Sequence, residues 1–295
     1  MTNPSDALEL RARDDYRLAA TLYRPKSGAA PRAIVVLACA TGVRRSYYEP
    51  FASHLADHGL AALTFDYRGI GDSRPQRLAG FTARMQDWGA LDLDAALARA
   101  LELFPGVPLQ QIGHSAGGQL VGFCAHADRI SALVGIAAQS GYHGHWKGLG
   151  RARMLANWYF AVPLATRMFG YLPGQLGTGQ HLPAGVAREW AAWCRHPDYL
   201  MRDDREARAA SFARVTAPIL AYSFSDDPFA PRGAVDQLVS FYTAAPHERR
   251  HVTPAEAGAA VGHFGFFRKK FADSLWPGVV TWLKDQAAGS QPRTA

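Results

Sequence analysis

The stretch that decides how this chain folds is Val107-Pro108-Leu109-Gln110-Gln111-Ile112-Gly113-His114-Ser115-Ala116-Gly117-Gly118. Residues 109–113 read as a short strand, and the residues after them match G-x-S-x-G. A serine in that pattern sits on a tight strand-to-helix turn, which strains its backbone and exposes its hydroxyl. Small residues two places before and two after it let neighbouring backbone pass. A helix expected over residues 117–127 would bring the positive end of its dipole to the hydroxyl. The same five residues could form a glycine-rich turn with an idle serine. The strand before them and the helical pattern after them favour Ser115 as a nucleophile. His114 reads as a packing or supporting residue that points along the strand.

Working outward, residues 8–13 and 17–23 alternate around Asp14-Asp15 and read as an antiparallel hairpin. Residues 33–37, 60–65, 109–113, 132–137 and 218–222 are apolar runs of the kind that fill central parallel strands, and residues 248–252 form a last, less apolar strand. Helical spacing appears over residues 47–58, with Gly59 at the stop, over 87–103, and from 266 to about 284. Strands alternating with helices predict a mostly parallel eight-stranded sheet with helices on its faces. The alternation lapses over residues 139–212, which hold Trp146, Trp158, Tyr159, Phe160, Phe169, Tyr171, Trp190, Trp193 and Tyr199. That segment is too long and too aromatic for a plain loop. It reads as a mainly helical cap inserted into a core made of residues 1–138 and 213–295. The tail from Ala287 to Ala295 is small and polar and is expected to be disordered.

Bulk properties narrow the function. Hydrophobic residues make up 48% and charged residues 19% of the 295, a globular balance. The net charge of +7 comes from scattered arginines; Arg268-Lys269-Lys270 reads as one solvated face, so nucleic acid is not an expected partner. The first fifteen residues lack a basic segment followed by an apolar run, so no signal peptide is expected. No stretch of about 18 uncharged apolar residues is present, so no membrane span is expected. Three cysteines without CxxC spacing suit a reducing cytoplasm.

A serine hydroxyl needs a base, and the base needs an orienting acid. Folds built on such an elbow run in the chain order Ser, acid, His. Of eleven histidines, His263 lies in the loop after the last strand, whereas His247 and His251 fall at or within that strand. Asp226 and Asp227 both follow the strand at 218–222. Many hydrolases place a proline four residues after the acid; Asp227 meets this with Pro231 and Asp226 does not. Asp227 is therefore the expected acid, and Asp226 a loop-capping or solvated carboxylate.

Four stretches carry a family likeness: Ala40–Val43 (ATGV), Phe65–Gly71 (FDYRGIG, extending to Ser73), Gly113–Gln119 (GHSAGGQ) and Gly262–Arg268 (GHFGFFR). With them the chain resembles the α/β hydrolases, in the capped serine-aminopeptidase-like and lysophospholipase-like branch, closest to an uncharacterised bacterial group. The resemblance implies the α/β-hydrolase fold and a backbone oxyanion hole at Thr41 and Ala116. Cys39-Ala40 stands where most of that branch has His-Gly, so the first donor rests on position alone. Cys39 reads as a buried strand-end residue rather than a second nucleophile.

The leading expectation is a serine hydrolase that cleaves a carboxylic ester or thioester through an acyl-enzyme. Its small-molecule substrate carries an apolar acyl or alcohol group, because the cap is aromatic. Trp158, Tyr159 and His143 are the expected substrate contacts. Acyl transfer by the same triad and an idle binding protein of this fold are the alternatives. Peptidase and C–C hydrolase chemistry fit the same residues, whereas epoxide hydrolases and dehalogenases use aspartate at the elbow. No cofactor is expected: Arg74 replaces the last glycine of a G-x-G-x-x-G at Gly69-Ile70-Gly71, and His143-Gly144-His145 lacks a further ligand at metal spacing. The sequence does not specify an oligomeric state.

Overall fold

The computed structural model describes residues 5–26, 28–177 and 179–289. The hairpin forms as β1 (Ser5–Arg11) and β2 (Arg17–Tyr23), paired antiparallel. Asp15 turns the chain between them with a φ of 61°. The apolar runs become β3 (Ile34–Ala38), β4 (Ala61–Phe65), β5 (Leu109–His114) and β6 (Ile130–Ile136). A separate two-stranded piece follows, β7 (Tyr171–Leu172) with β8 (Leu182–Pro183), and then β9 (Ile219–Phe224) and β10 (His247–Val252). One eight-stranded sheet results, in the order β1-β2-β4-β3-β5-β6-β9-β10. From β4 to β10 its strands are parallel. Every residue of β3, β4 and β5 is buried, as apolar runs covered on both faces require.

Strand order reverses between β3 and β5. In open parallel sheets a crevice forms beyond the carboxyl ends of the strands at such a reversal. Ala38 of β3 pairs with Gly113 of β5, so the loops leaving the two strands, Cys39–Gly42 and Ser115–Gly118, start side by side. The site is therefore placed by sheet topology before any side chain is considered.

Helices cover the faces: α1 (Glu49–Asp57), α2 (Asp94–Leu103), α3 (Gly148–Ala156), α4 (Val162–Phe169), α5 (Ala184–Cys194), α6 (Arg205–Ala213), α7 (Arg232–Ser240) and α8 (Trp276–Gly289). The segment 139–212 is mainly helical but also contains the β7–β8 pair, which its spacing did not suggest. Phe212 of α6 packs onto Gly122, where an added Cβ would lie 2.1 Å from the ring. The last helix of the segment thus rests on the sheet domain.

Several expected elements differ. Residues 117–127 form no α-helix but separate 3-10 turns, Ser115–Gly118 and Val121–Phe123. Gly117, Gly118 and Gly122 lower helix propensity there by roughly 1 kcal/mol each. The helix expected from 266 begins at Trp276, after 3-10 turns at Gly265–Phe267 and Lys269–Phe271. It continues through Ala287, Ala288 and Gly289, which were expected to be disordered; residues 290–295 of that tail, like residues 1–4 of the leader reading, lie outside the described residues. The helix expected over 87–103 is interrupted by a π-helical turn, Trp88–Leu93.

The Asp66–Ser73 segment is structural. Arg68 is buried between Asp92 (Nε to Oδ1, 2.7 Å) and Asp14 (Nη1 to Oδ2, 2.6 Å). The Ser73 hydroxyl donates to the Asp66 carbonyl at 2.8 Å and accepts the Ala19 amide at 2.9 Å. The segment thereby ties the hairpin to the sheet.

Candidate active site

Ser115 follows β5 with a φ of 50°, in the left-handed region that costs a non-glycine residue about 1–2 kcal/mol. Its flanks explain how the strain is held. A Cβ at Gly117 would stand 2.1 Å from the Ala38 carbonyl oxygen, and one at Gly113 would stand 2.3 Å from the Gly118 backbone. Only glycine fits at either place. The turn therefore packs against β3 and presents Ser115 at its apex.

Beyond β9, the Asp227 carboxylate is fixed by three donors. Its Oδ1 accepts the amides of Phe229 (2.7 Å) and Ala230 (3.1 Å), and its Oδ2 lies 2.7 Å from His263 Nδ1. The carboxylate is an acceptor only when ionised, so Nδ1 carries the proton and Nε2 is left as a base. Asp226 points elsewhere. Its Oδ2 accepts the amides of Val261 (2.8 Å) and Gly262 (3.1 Å), and so caps the turn that delivers His263. Ser115 and His263 line one cavity, but among the described residues no hydrogen bond joins Ser115 Oγ to the imidazole. Ser115 Oγ instead donates to Gln139 Oε1 at 3.5 Å, the outer limit of such a bond. Catalytic hydrogen bonds are often loose before substrate binds.

Gln139, just past β6, was not singled out from sequence. Its Oε1 also accepts from Gln119 Nε2 (3.5 Å), its Nε2 donates to the Phe229 carbonyl (3.2 Å), and Gln119 Oε1 accepts the Tyr199 hydroxyl (2.7 Å). Being the first long polar side chain after a buried apolar strand was the only sequence signal it gave.

His114 is fully buried and links three parts of the site. Its Nε2 donates to the His263 carbonyl at 2.8 Å, which leaves Nδ1 to accept the Tyr48 hydroxyl at 2.8 Å. Tyr48 in turn accepts the Ala40 amide at 2.8 Å. Burial, with His263 adding to it, pushes His114 down to about 3, so the ring is neutral. Cys39 donates its thiol to the Phe65 carbonyl, and burial holds its pKa well above the usual thiol value, which leaves it no thiolate.

Thr41 lines the cavity with Ser115, and Ala116 follows the serine in the turn; their N–H groups are the expected oxyanion donors. Neither is used in a turn or loop hydrogen bond of the described residues. The cavity has a volume of about 510 Å³, and much of its wall comes from the segment 139–212, including Met154, Trp158, Leu164 and Leu172. Of the expected substrate contacts, Trp158 lines it. Tyr159 and His143 do not. Tyr159, one residue further along the helix, points outward beneath the Arg195 guanidinium, 5.4 Å from its ring centre. His143 sits in a 3-10 turn against the Tyr142 ring, 4.7 Å away. Among the described residues no group of three or more His, Cys, Asp or Glu could hold a metal ion, and no helix is long and apolar enough to cross a membrane.

Comparison with known proteins agrees with this architecture. Residues 29–208 match the family Hydrolase_4, serine aminopeptidase S33, a span that includes Ser115 and ends before Asp227. A soluble variant of monoglyceride lipase from Saccharomyces cerevisiae superposes with a TM-score of 0.68 at 17% identity, covering 97% of this chain and 96% of that one. A highly thermostable carboxyl esterase from Bacillus coagulans superposes with a TM-score of 0.63 at 14% identity, covering 97% of this chain and all of that one (100%). The quorum-quenching protein AidA of Acinetobacter baumannii (strain MDR-ZJ06) is 32% identical over 124 residues, which is 41% of this chain and 40% of AidA. The fold and the turn at Ser115 are those of the α/β hydrolases. The chain belongs to the serine aminopeptidase S33 family.

Proposed function

We propose that the protein cleaves a carboxylic ester or thioester with an apolar acyl or alcohol part, through an acyl-enzyme on Ser115. One observation carries the reading: Ser115 in strained backbone and the 2.7 Å His263–Asp227 pair meet at one largely apolar cavity. The solved proteins of this fold described above, a monoglyceride lipase and a carboxyl esterase, act on esters by name, which supports it.

In this reading Ser115 Oγ bonds to the carbonyl carbon while its proton passes to His263 Nε2. The amides of Thr41 and Ala116 face the developing oxyanion. The C–O or C–S bond then breaks, and the alcohol or thiol leaves with the proton from His263. Water attacks the acyl-enzyme, His263 accepts its proton, and the acid departs as Ser115 regains a hydrogen. Asp227 holds the imidazole in the required tautomer. Residues 139–212 act as the cap, with Trp158 as a wall of the acyl or alcohol pocket. The free, buried thiols of Cys39, Cys124 and Cys194 suit a reducing compartment, and we place the protein in the cytoplasm.

The test is labelling and turnover. A fluorophosphonate probe should label Ser115, and Ser115→Ala should lose both the label and the hydrolysis of p-nitrophenyl esters and acyl-CoAs. A Ser115→Ala protein that still takes the label would move the nucleophile elsewhere.

A further inference from the structure

The roof of the cavity has a second feature that ester cleavage does not require. From Gly148 to Phe169 the backbone is helical without a break: α3, a π-helical turn at Asn157–Ala161, and α4. The wider turn lets the helix pass Pro163, which has no N–H to give. One face of this helix is buried, through Met154, Trp158, Val162 and Ala165. The opposite face is apolar and open to solvent, with Leu149 at 90% exposure, Phe160 at 73%, Leu164 at 59% and Met168 at 66%. Those four, with Arg153 and Ala156, follow one another at steps of three and four residues, so they form a single stripe. Phe160 and Leu164 also line the cavity, so the stripe is the lip of the mouth that leads to Ser115.

Charge on this part of the chain has one sign. Between Asp128 and Glu189 no aspartate or glutamate occurs, while Arg129, Lys147, Arg151, Arg153, Arg167 and Arg188 do. A helix with large apolar side chains on one face, arginines beside them and no carboxylate is suited to lie in the plane of an anionic lipid surface. A protein partner seated on the stripe would close the mouth of the cavity. A lipid surface would instead feed it with apolar substrate.

We propose that residues 148–169 dock this protein reversibly on anionic lipid bilayers, with the cavity mouth facing the lipid. Only the use made of such docking rests on the ester-cleavage reading. Binding is measured without turnover, so the two can fail separately. The full chain is sedimented with phosphatidylcholine vesicles, with and without phosphatidylglycerol, at low and high salt. Binding to the phosphatidylglycerol vesicles, weakened by salt and much weaker on phosphatidylcholine alone, is expected. Leu149→Glu with Met168→Glu places two charges on exposed positions outside the cavity lining, and should abolish sedimentation while leaving hydrolysis of a short soluble ester unchanged. Arg151→Gln with Arg167→Gln alters charge alone, and should weaken binding about fivefold for each cation removed. This second pair keeps the test open if the first misfolds. No binding to either vesicle overturns the proposal, as does binding that neither pair affects. A wild-type dimer in sedimentation equilibrium that Leu149→Glu with Met168→Glu converts to monomer also overturns it, because a second copy then covers the stripe.

Discussion

Removing one oxygen atom, in Tyr48→Phe, tests whether the site is held together by a hydrogen-bonded chain or by ring packing alone. The hydroxyl accepts the Ala40 amide and donates to His114 Nδ1, both at 2.8 Å, and the residue is buried. Phenylalanine keeps the ring and its edge-on contact with Phe267, 4.7 Å between centres. What is lost is the partner of two buried polar groups. Each buried group left unsatisfied costs about 1–3 kcal/mol, so Tyr48→Phe, which orphans two, should destabilise the protein by about 2–6 kcal/mol. A tyrosine that served only to pack would lose far less, because the shape is conserved. Urea unfolding, compared at unchanged slope, gives the difference directly.

The same substitution should reach the chemistry. Ala40 precedes Thr41, whose amide faces the proposed oxyanion, and His114 bonds the carbonyl of His263 itself. A looser Ala40–Thr41 backbone and a less fixed His263 both raise the barrier without altering the cavity wall. We expect kcat to fall about tenfold, equivalent to about 1.4 kcal/mol, with KM little changed. A stability loss below about 1 kcal/mol together with an unchanged kcat would refute the linkage.

Three further outcomes follow from the geometry. His114 is pushed from its ordinary 6.5 to about 3, so the unfolded chain takes up a proton there that the folded one does not; stability should be full above about pH 6.5 and fall progressively toward pH 3. Urea midpoints should show that slope flattened in His114→Phe. Asp227→Asn should lose about 10³–10⁴ in kcat because the imidazole adopts the wrong tautomer, whereas Asp226→Asn, which alters a backbone cap, should lose far less; steady-state kinetics with a reversed ranking would reassign the acid. Trp158→Leu should change the dependence of kcat/KM on acyl chain length, each properly buried methylene being worth about 0.8 kcal/mol, and Tyr159→Ala should not; a chain-length series that responds to Tyr159 alone would place the pocket on the other side of the helix.

The parts legible from sequence are those fixed by local sterics. Gly113 and Gly117 announced the elbow because any side chain there would strike backbone. The Asp227 to Pro231 spacing was informative because Pro231 is the N-cap of α7: only residues 225–231 lie between β9 and that helix. The apolar runs gave the five strands at the centre of the main sheet, β3, β4, β5, β6 and β9, because both faces there are covered; alternation gave the β1–β2 hairpin, and β10 was the last, less apolar strand. The chain from Ala40 through Tyr48 and His114 to His263 left no such trace. It joins residues as far as 149 positions apart, and no periodicity records a contact of that kind.

Residues 139–212 show where pattern reading stopped short and what would have carried it further. Their aromatic density suggested that Trp158 and Tyr159 share a role, yet adjacent helical residues point about 100° apart, and of these two only Trp158 lines the cavity. The spacing already held the answer. Met154, Trp158, Val162 and Ala165 fall on one face at steps of four, four and three, and all four are buried. Tyr159 and Phe160 are out of phase with that face and are exposed. Composition said that the segment buries rings somewhere; only the phase of the helix says which rings. The residues that composition left over, Phe160, Leu164 and Met168, are those that border the mouth or lie beside it, where an exposed apolar side chain costs the free protein solvation but can meet a ligand or a surface.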